Sequence, residues 1–453
     1  MAETIAPMNT ITSRIKFAYS YIVNSIGFHT TLISLSFFGL ALLMLYLETL
    51  GLSNRVMDNL PFMIITNHET ARLILSSITT GIISLTVFSF TMVMLVLNQA
   101  AANFSPRVIP SLISYKSNQR VLGLYLGTLI YTLVIMVNVR AEYYKITLPG
   151  FSVFLAMCLT ILCLCFFVYF IHSISQTIQI ESILESIFKV THKKLEEEIK
   201  RDRGPGIPKV FTRTSDWQTL ESPETGYLQS LDEHAVLKIC CNYDVVLYFE
   251  KPLGSFLLKG APFARVSRQH GDMKEFTEEF FGHVSFFREE RPSENYIFGF
   301  KHITESAVKA LSPGINDPGT ALKAIEYLAA LFATRMRLTD EKVLYDSHGK
   351  ARIGFEHETF EDLSEMCLSP IRLYGKENST IILRLLFLVR SLLYKVPEYP
   401  HLKPVLYNDA ALVLLDAEEA ISNPGDRRKI NRKVQELNSM KILDRELPLL
   451  QVK

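Results

Sequence analysis

Four long apolar stretches in the first 175 residues constrain this chain more than any other feature. They run approximately over residues 30–47, 73–97, 121–139 and 148–171. An α-helix needs about 20 such residues to cross the hydrocarbon core of a bilayer. The first stretch is not typical of a cleaved signal peptide, because it begins late and no small-x-small cleavage site follows it. The sequence therefore predicts an α-helical integral membrane protein with four transmembrane helices.

The distribution of basic residues predicts how these helices are oriented. Arg and Lys side chains are concentrated before the first stretch, after the second and after the fourth, at Arg14, Lys16, Arg107, Lys116, Arg120, Lys189, Lys193 and Lys194. Loops rich in Lys and Arg remain on the cytoplasmic side. We therefore expect both termini to be cytoplasmic and the protein to lie in a bacterial plasma (inner) membrane.

The composition changes after the fourth stretch and predicts further domains. Residues 1–27 form a cytoplasmic N-terminal tail, residues 28–172 the four-helix transmembrane domain, and residues 173–204 an amphipathic linker helix that extends the fourth span. Residues 205–270 contain short β-type runs, namely VLKICC, DVVLYFE and GSFLLKGAPFARVS. The last run resembles the hairpins of barrel-sandwich hybrid domains, so a small β-domain of that kind is expected.

Residues 271–453 are predicted to form a helical cytoplasmic domain, with helices that include 275–287, 304–311, 319–337, 380–394 and 405–422.

The second apolar stretch carries a line of small polar residues. Ser77, Ser84, Thr91 and Asn98 are spaced seven residues apart, and Thr80 lies beside them. This spacing places them on one helical face that lipid should not contact. One interpretation is close packing of helices through small residues, and the other is a polar conduit formed when several copies surround an axis. No Asp, Glu, Lys or Arg lies within the four predicted spans, which argues against a charge-coupled transporter.

The segment NFSPRVIP follows this line. Pro106 is expected to end or redirect the helix, and Arg107 can contact phosphate headgroups at the membrane edge. Anchoring at the boundary and a gating hinge are both consistent with this pair.

No recognisable catalytic motif is present in the cytoplasmic part, so an enzyme is not predicted. The sequence contains no P-loop, no G-x-S-x-G and no HExxH. His302 and Glu305 are interpreted as a surface pair, and neither a metal site nor a cofactor is expected. The formal net charge of +1 argues against nucleic acid as a partner.

The segment ALSPGINDPGTALKAI is the most turn-dense part of the chain. Ser312, Pro313 and Gly314 are expected to turn the chain after a helix that ends at Leu311. Asp317 is predicted to be the N-cap of the next helix, with Pro318 at its first position. Asn316 tolerates the left-handed backbone that such a turn uses. A rigid joint is the structural interpretation, whereas a ligand loop would use Thr320 and the free amides of the helix.

The membrane segment ETARLILSSITTGIISLTVFSFTMVMLVLNQAAANFSPRVI and the cytoplasmic segment KALSPGINDPGTALKAIEYL together resemble the domain of unknown function 2254 family (DUF2254) of bacterial predicted membrane proteins. The similarity extends from the first span to about residue 425. The resemblance implies N-terminal spans and a soluble C-terminal part, and it supplies no catalytic positions.

Two functional hypotheses follow. The first is an oligomeric, channel-like or pore-forming assembly with a cytoplasmic gating or sensing domain. The second is a membrane-anchored cytoplasmic sensor or scaffold without transport activity. Both require a lipid bilayer, and both favour a homo-oligomer, with the ion or ligand unspecified.

Overall fold

The computed structural model describes residues 26–50, 53, 65, 67–103, 116–139, 149–177, 180–201, 211, 217–267, 273–287, 290–356 and 358–452. Backbone contacts divide the chain into two compact units. The first consists of Ile11–Ala102 and Val108–Gln179, and the second is built mainly from Ile180–Lys453.

The first unit contains the predicted transmembrane helices. Its helices are α1 (Ile26–Thr49), α2 (His68–Asn103), α3 (Lys116–Asn138) and α4 (Gly150–Thr177). Among the described residues, four helices are long and apolar enough to cross a membrane, and they correspond to these four. The prediction of four helices long and apolar enough to span a membrane is therefore confirmed.

Helices α1 and α3 approach each other closely because α3 carries glycines four residues apart. A Cβ atom built on Gly127 would lie 2.7 Å from Cγ of Phe37, and one on Gly123 would lie 3.0 Å from Cδ1 of Ile33. Glycines at this spacing allow two helix backbones to pack directly against each other. Large apolar side chains, including Tyr125, fill the interior of this unit.

The second unit begins with α5 (Ile180–Arg201), an amphipathic helix that packs against α8 (Tyr296–Leu311) and α9 (Pro318–Arg335). The Phe188 ring stacks on Tyr327, with ring centroids 4.8 Å apart. Gly299 of α8 lies so close to Thr191 that a Cβ atom at that position would be 1.7 Å from Thr191 Oγ1. Helix α5 is therefore an integral part of this unit. The prediction of a continuous helix from the fourth span depends on residues 178–179, which are outside the described residues.

Two sheets follow α5 in the second unit. The strands are β1 (Gln218–Glu221), β2 (Gly226–Leu231), β3 (Leu247–Phe249), β4 (Phe256–Leu257), β5 (Pro262–Val266), β6 (Val284–Phe287), β7 (Glu341–Tyr345) and β8 (Ala351–Glu356). Within the described residues, one sheet has the order β1-β5-β3-β8-β7 and the other β4-β2-β6. Strand β3 pairs parallel with β8, with Leu247 opposite Ile353, and antiparallel with β5, while β8 also pairs antiparallel with β7. The expected barrel-sandwich hybrid is not confirmed.

Two of the predicted secondary-structure assignments are wrong. The run VLKICC lies in helix α6 (Glu233–Asn242), where Val236, Ile239 and Cys240 are buried on one face. The predicted helix over residues 275–287 is helix α7 (Met273–Phe281) followed by strand β6. The five-stranded sheet also recruits β7 and β8 from beyond residue 270, so the sheets do not end at that predicted boundary.

The rest of the second unit is helical. It contains α8, α9, α10 (Phe360–Gly375), α11 (Ser379–Leu393), α12 (Lys403–Ala420) and α13 (Pro424–Ser439). Helix α11 is the apolar segment that resembles a further span, but Arg384 forms an ion pair with Glu326 and Arg390 one with Glu436. Its 15 residues are also fewer than the about 20 that a helix needs to cross a bilayer core.

Candidate functional site

The line of small polar residues lies on the outer surface of helix α2. The side chains that the sequence places on one face are all exposed in the single chain, namely Ser77, Thr80, Ser84, Thr91 and Asn98. The opposite face of α2 is buried, with Ala71, Leu75 and Ile82 fully covered by the core of the first unit. The chain therefore presents this polar face to whatever surrounds the first unit.

The hydroxyl groups of this face donate hydrogen bonds to their own helix. Thr80 Oγ1 donates to the Ser76 carbonyl at 3.0 Å, Ser84 Oγ to the Thr80 carbonyl at 3.0 Å, and Thr91 Oγ1 to the Val87 carbonyl at 2.9 Å. A hydroxyl that donates in this way keeps its oxygen lone pairs as acceptors. These three hydroxyl groups therefore present oxygen acceptors, whereas the Asn98 amide carries both a donor and an acceptor.

Apolar side chains interrupt the polar face. Leu95 is four residues after Thr91 and three before Asn98, and it is exposed. Phe88 lies between Ser84 and Thr91, and its ring also makes an edge contact with Phe167 of α4 at 5.7 Å between centroids. The surface consequently alternates between small polar groups and large apolar ones along the helix.

A cleft of about 400 Å³ opens beside this face between α1, α2 and α3. Its lining residues come from these three helices and are Thr30, Thr86, Val87, Phe90, Thr91, Leu122 and Leu126. Thr91 belongs both to the cleft and to the polar face, whereas Thr30 Oγ1 donates to the Gln119 carbonyl at 3.1 Å. The cleft is lined mainly by apolar groups, which makes it suited to an acyl chain or an apolar side chain.

A buried carboxylate lies immediately after the first predicted span, which ends at residue 47. Helix α1 continues through Glu48, which is only 7% exposed. Its Oε1 accepts from the backbone N–H and the hydroxyl of Ser152, both at 3.0 Å, and its Oε2 accepts from Ser53 at 2.5 Å. The carboxylate thus caps the first turn of α4, where its charge is favourable. Glu48 lies one residue beyond the predicted first span of residues 30–47, so the absence of charge within the predicted spans holds, whereas the membrane-capable helix of the structure, Phe28–Thr49, includes it.

The turn between α8 and α9 has the predicted structure. Helix α8 ends at Leu311, and Asn316 adopts a left-handed backbone with φ of 49°. Asp317 caps α9, because its Oδ1 accepts from the Thr320 N–H at 3.2 Å and its Oδ2 from the Thr320 hydroxyl at 2.5 Å. Pro318 occupies the first helical turn.

Ser312 closes the other side of this turn. Its hydroxyl donates to the Lys309 carbonyl at 2.6 Å, and its own carbonyl accepts from the Asn316 N–H at 2.9 Å. Pro313 and Gly314 are exposed at the tip. Since Asp317 occupies the Thr320 groups that a ligand loop would use, this geometry is that of a rigid joint.

His302 is buried, so its interpretation as part of a surface pair is wrong. Its Nε2 lies 3.5 Å from Glu290 Oε2, and Lys301 Nζ donates to Glu290 Oε1 at 2.6 Å. Burial alone would raise the pKa of Glu290, but the nearby His302 ring and the hydrogen bond from Lys301 lower it to about 2. The described residues contain no group of three or more His, Cys, Asp or Glu side chains able to hold a metal ion. Pro106 and Arg107, the predicted hinge, lie outside the described residues.

The fold defines a membrane protein with four helices capable of spanning a bilayer and a C-terminal α+β part. The chain belongs to the DUF2254 family, whose description is "Predicted membrane protein" and whose sequence profile matches residues 23–391. The resemblance is thereby confirmed, but the match ends within α11, before the expected residue of about 425.

Similar proteins occur in mycobacteria. An uncharacterised protein of Mycobacterium tuberculosis strain H37Rv is 22% identical over 350 residues, which cover 75% of this chain and 67% of the relative. An uncharacterised protein of Mycobacterium bovis has the same identity and coverage. No solved structure matches the chain significantly.

Proposed function

We propose that the chain assembles into a homo-oligomer in which the polar face of α2 from each copy lines a conduit for small cations. The observation that carries this proposal is the exposure of Ser77, Thr80, Ser84, Thr91 and Asn98 on the outside of the first unit. A face of this composition is poorly matched to lipid tails and is favourable against water or another helix.

The packing of the first unit supports a conduit between copies rather than through one copy. Tyr125, Tyr131 and Phe170 are fully buried among its helices and fill its interior. A water-filled path along the axis of one chain would have to displace these side chains. Several copies of the α2 face around a shared axis would need no such rearrangement.

The chemistry of the face favours cations. The Thr80, Ser84 and Thr91 hydroxyls donate to backbone carbonyls, so their oxygens remain available to accept from a hydrated cation or to coordinate it. The face has no carboxylate, which predicts weak binding and fast passage rather than tight binding. Leu95 would form an apolar ring near Asn98, and narrow apolar rings can close a pore by excluding water.

The cytoplasmic part and the orientation complete the proposal. Both termini face the cytoplasm of a bacterial plasma membrane, and the second unit gates the conduit or senses a ligand. No catalytic group, cofactor or nucleic acid is required for this role. The orientation is tested by labelling single cysteines introduced at exposed positions of the second unit in intact cells, where protection from an impermeant reagent is expected.

The conduit is tested by cation flux into liposomes that contain the purified full-length protein. Ser84→Leu replaces a small polar group on the proposed axis with a large apolar one, and it is expected to reduce flux at least about tenfold. The matched control is Ile83→Leu, which alters an exposed neighbour outside the polar line and should leave flux unchanged. Equal absence of flux from the wild type and both variants would refute the conduit.

A membrane-anchored sensor or scaffold is the second candidate, and the packing of α5 defines the soluble fragment that tests it. Because α5 packs against α8 and α9, a soluble fragment should begin near residue 180 rather than 205. On this hypothesis the α2 face only packs helices together. Ser77→Leu should then disrupt the oligomer, and neither the wild type nor the variant should transport cations. Ligand or partner binding retained by residues 180–453 would favour this candidate.

A further inference from the structure

Two turns between helices meet at one end of the second unit. Helix α8 ends at Leu311, helix α10 ends at Gly375, and α11 begins after a short turn. A Cβ atom built on Gly375 would lie 2.5 Å from Cγ2 of Ile381 and 3.4 Å from Cδ1 of Leu311. The α8–α9 joint and the α10–α11 turn are therefore neighbours. Together they form a surface, here named the turn end, that comprises residues 312–317 and 373–378.

Helix α5 begins at the same end, because it runs parallel to α9. The Phe188 ring stacks on Tyr327, and further along both segments Arg337 Nη1 donates to Glu196 Oε1 at 2.5 Å. Helix α5 begins eight residues before Phe188, and α9 begins nine residues before Tyr327. At 1.5 Å per residue, both helices start about 12 to 14 Å before the stacked rings. The first turn of α5 is therefore level with the α8–α9 joint.

The chain enters the second unit at this end. Ile180 follows Thr177, the last residue of α4, by three positions, and three residues of chain reach at most about 11 Å. Covalent connectivity thus keeps the turn end within reach of the lipid that surrounds the fourth span. A tethered surface meets its partner at a high effective concentration, so that even a small contact area can bind.

The turn end exposes two large side chains that are adjacent in sequence. Leu373 and Tyr374, in the last turn of α10, are 65% and 50% exposed. At the neighbouring joint, Pro313 and Gly314 are also exposed. Leucine is compatible with acyl chains, and tyrosine is enriched at the membrane–water interface because its ring is apolar and its hydroxyl is polar. This combination suits the headgroup region of a bilayer.

Charges near these two residues are paired within the protein. Lys376 Nζ lies 3.2 Å from Glu419 Oε2, and Lys323 Nζ lies 3.4 Å from Glu326 Oε2. Apolar contact rather than charge therefore selects the partner, and lipids without net charge are sufficient. Two side chains are too small a patch for a stable protein interface, which buries roughly 800 Å² on each partner. A lipid surface has no such minimum, since single side chains can insert into it.

We propose that the turn end docks on the surface of the lipid bilayer, with Leu373 and Tyr374 inserted among the headgroups. The rigid α8–α9 joint supports this surface, because Leu311 lies next to Gly375 at the end of α10. Docking fixes the orientation of the second unit on the membrane. It does not depend on the proposed conduit, and it applies equally to a membrane-anchored sensor.

The proposal is tested with the full-length protein in phosphatidylcholine liposomes, by quenching of tryptophan fluorescence with phosphatidylcholine brominated on its acyl chains. Trp217→Phe removes the only tryptophan of the chain, and Tyr374→Trp places the probe at the turn end. Brominated lipid should lower its emission at least about twofold. Tyr394→Trp is the matched control, because Tyr394 is 62% exposed and lies at the other end of α11, about 22 Å along its axis. Its emission should not change.

A second pair of variants tests the role of the neighbouring leucine. Leu373→Ser, added to the Tyr374→Trp protein, should weaken the insertion and restore most of the emission. Leu258→Ser removes a leucine that is similarly exposed, at 63%, in the strand region and should leave the quenching unchanged. Since all these side chains are exposed, each variant is expected to unfold at the temperature of its parent.

Three results would overturn the proposal. The first is a folded Tyr374→Trp protein whose emission brominated lipid does not lower. The second is equal quenching of the probes at positions 374 and 394, which shows contact without a preferred surface. The third is blue-shifted emission at position 374 without quenching, which shows that protein, such as a second copy, covers the turn end. None of these readouts requires cation flux, so the conduit and the docking fail separately.

Discussion

Replacing Gly299 by alanine tests the close packing of α5 on α8. The added Cβ atom would lie 1.7 Å from Thr191 Oγ1 and 2.6 Å from Thr191 Cβ. Rotating the threonine side chain moves Oγ1 but leaves its Cβ in place. The two helices must therefore separate by roughly 1 Å to reach ordinary van der Waals contact.

The expected cost follows from this displacement. Overpacking of a filled core costs typically about 1 to 3 kcal/mol, and this contact belongs at the upper end. Alanine in place of glycine returns up to about 1 kcal/mol through its higher helix propensity. The net loss of about 2 kcal/mol should lower the melting temperature of a unit of this size by roughly 4 to 8 °C.

The measurement is thermal unfolding of residues 180–453 followed by circular dichroism. Gly314→Ala is the matched control, because an added Cβ atom there meets no atom within 4 Å and the variant should melt within about 2 °C of the wild type. The double variant Thr191→Gly/Gly299→Ala should be more stable than the sum of the single effects predicts. A Gly299→Ala protein that melts at or above the wild-type temperature would refute the close packing.

Three further predictions concern other residues. Burial raises the pKa of Asp409 to about 6, so the free energy of unfolding should fall as pH rises from about 4 to 6. Asp409→Asn should remove this dependence and stabilise the protein at pH 8 by up to about 3 kcal/mol. Urea unfolding of both proteins at about pH 4 and at pH 8 would measure the two effects. Asp317→Ala removes the N-cap of α9 and should cost about 0.5 to 2 kcal/mol, whereas Asp317→Asn should retain most of it; equal melting temperatures of the two variants would contradict the cap. Gly127→Leu should separate α1 from α3 at Phe37 and lower the detergent melting temperature of the full chain, unlike Leu124→Ile on the same helix.

The sequence alone determined the parts of this protein that depend on local chemistry. The four spans follow from length and apolarity, because a bilayer requires about 20 apolar residues for each helix. The joint at Asn316, Asp317 and Pro318 follows from backbone preferences and capping, which act over a few residues. The heptad spacing of Ser77, Ser84 and Thr91 placed them on one face, because helical periodicity is a local property.

Other features were not accessible to local reasoning. A short apolar run such as VLKICC fits a buried strand and a buried helix equally well. The segments that pack against it in the fold determine that it forms a helix. The pairing of Leu247 with Ile353 joins residues more than a hundred positions apart, and no local pattern specifies it. The hydrogen bonds that Asn431 and Asn438 of α13 make with the backbone of Leu450 and Leu447 were missed entirely, although the seven-residue spacing of the two asparagines was visible in the sequence.

Tertiary structure also decided which polar residues are buried. Glu48 was missed because it follows the apolar stretch, yet the N-terminus of α4 approaches it and gives its carboxylate two donors. Gly123 and Gly127 had a readable signal in their four-residue spacing, but only the packing identified α1 as the partner. Periodicity defines the faces of a helix, whereas burial depends on which distant segments pack against each face. For this reason the sequence determined the polar line on α2, and only the fold showed that the line faces outward.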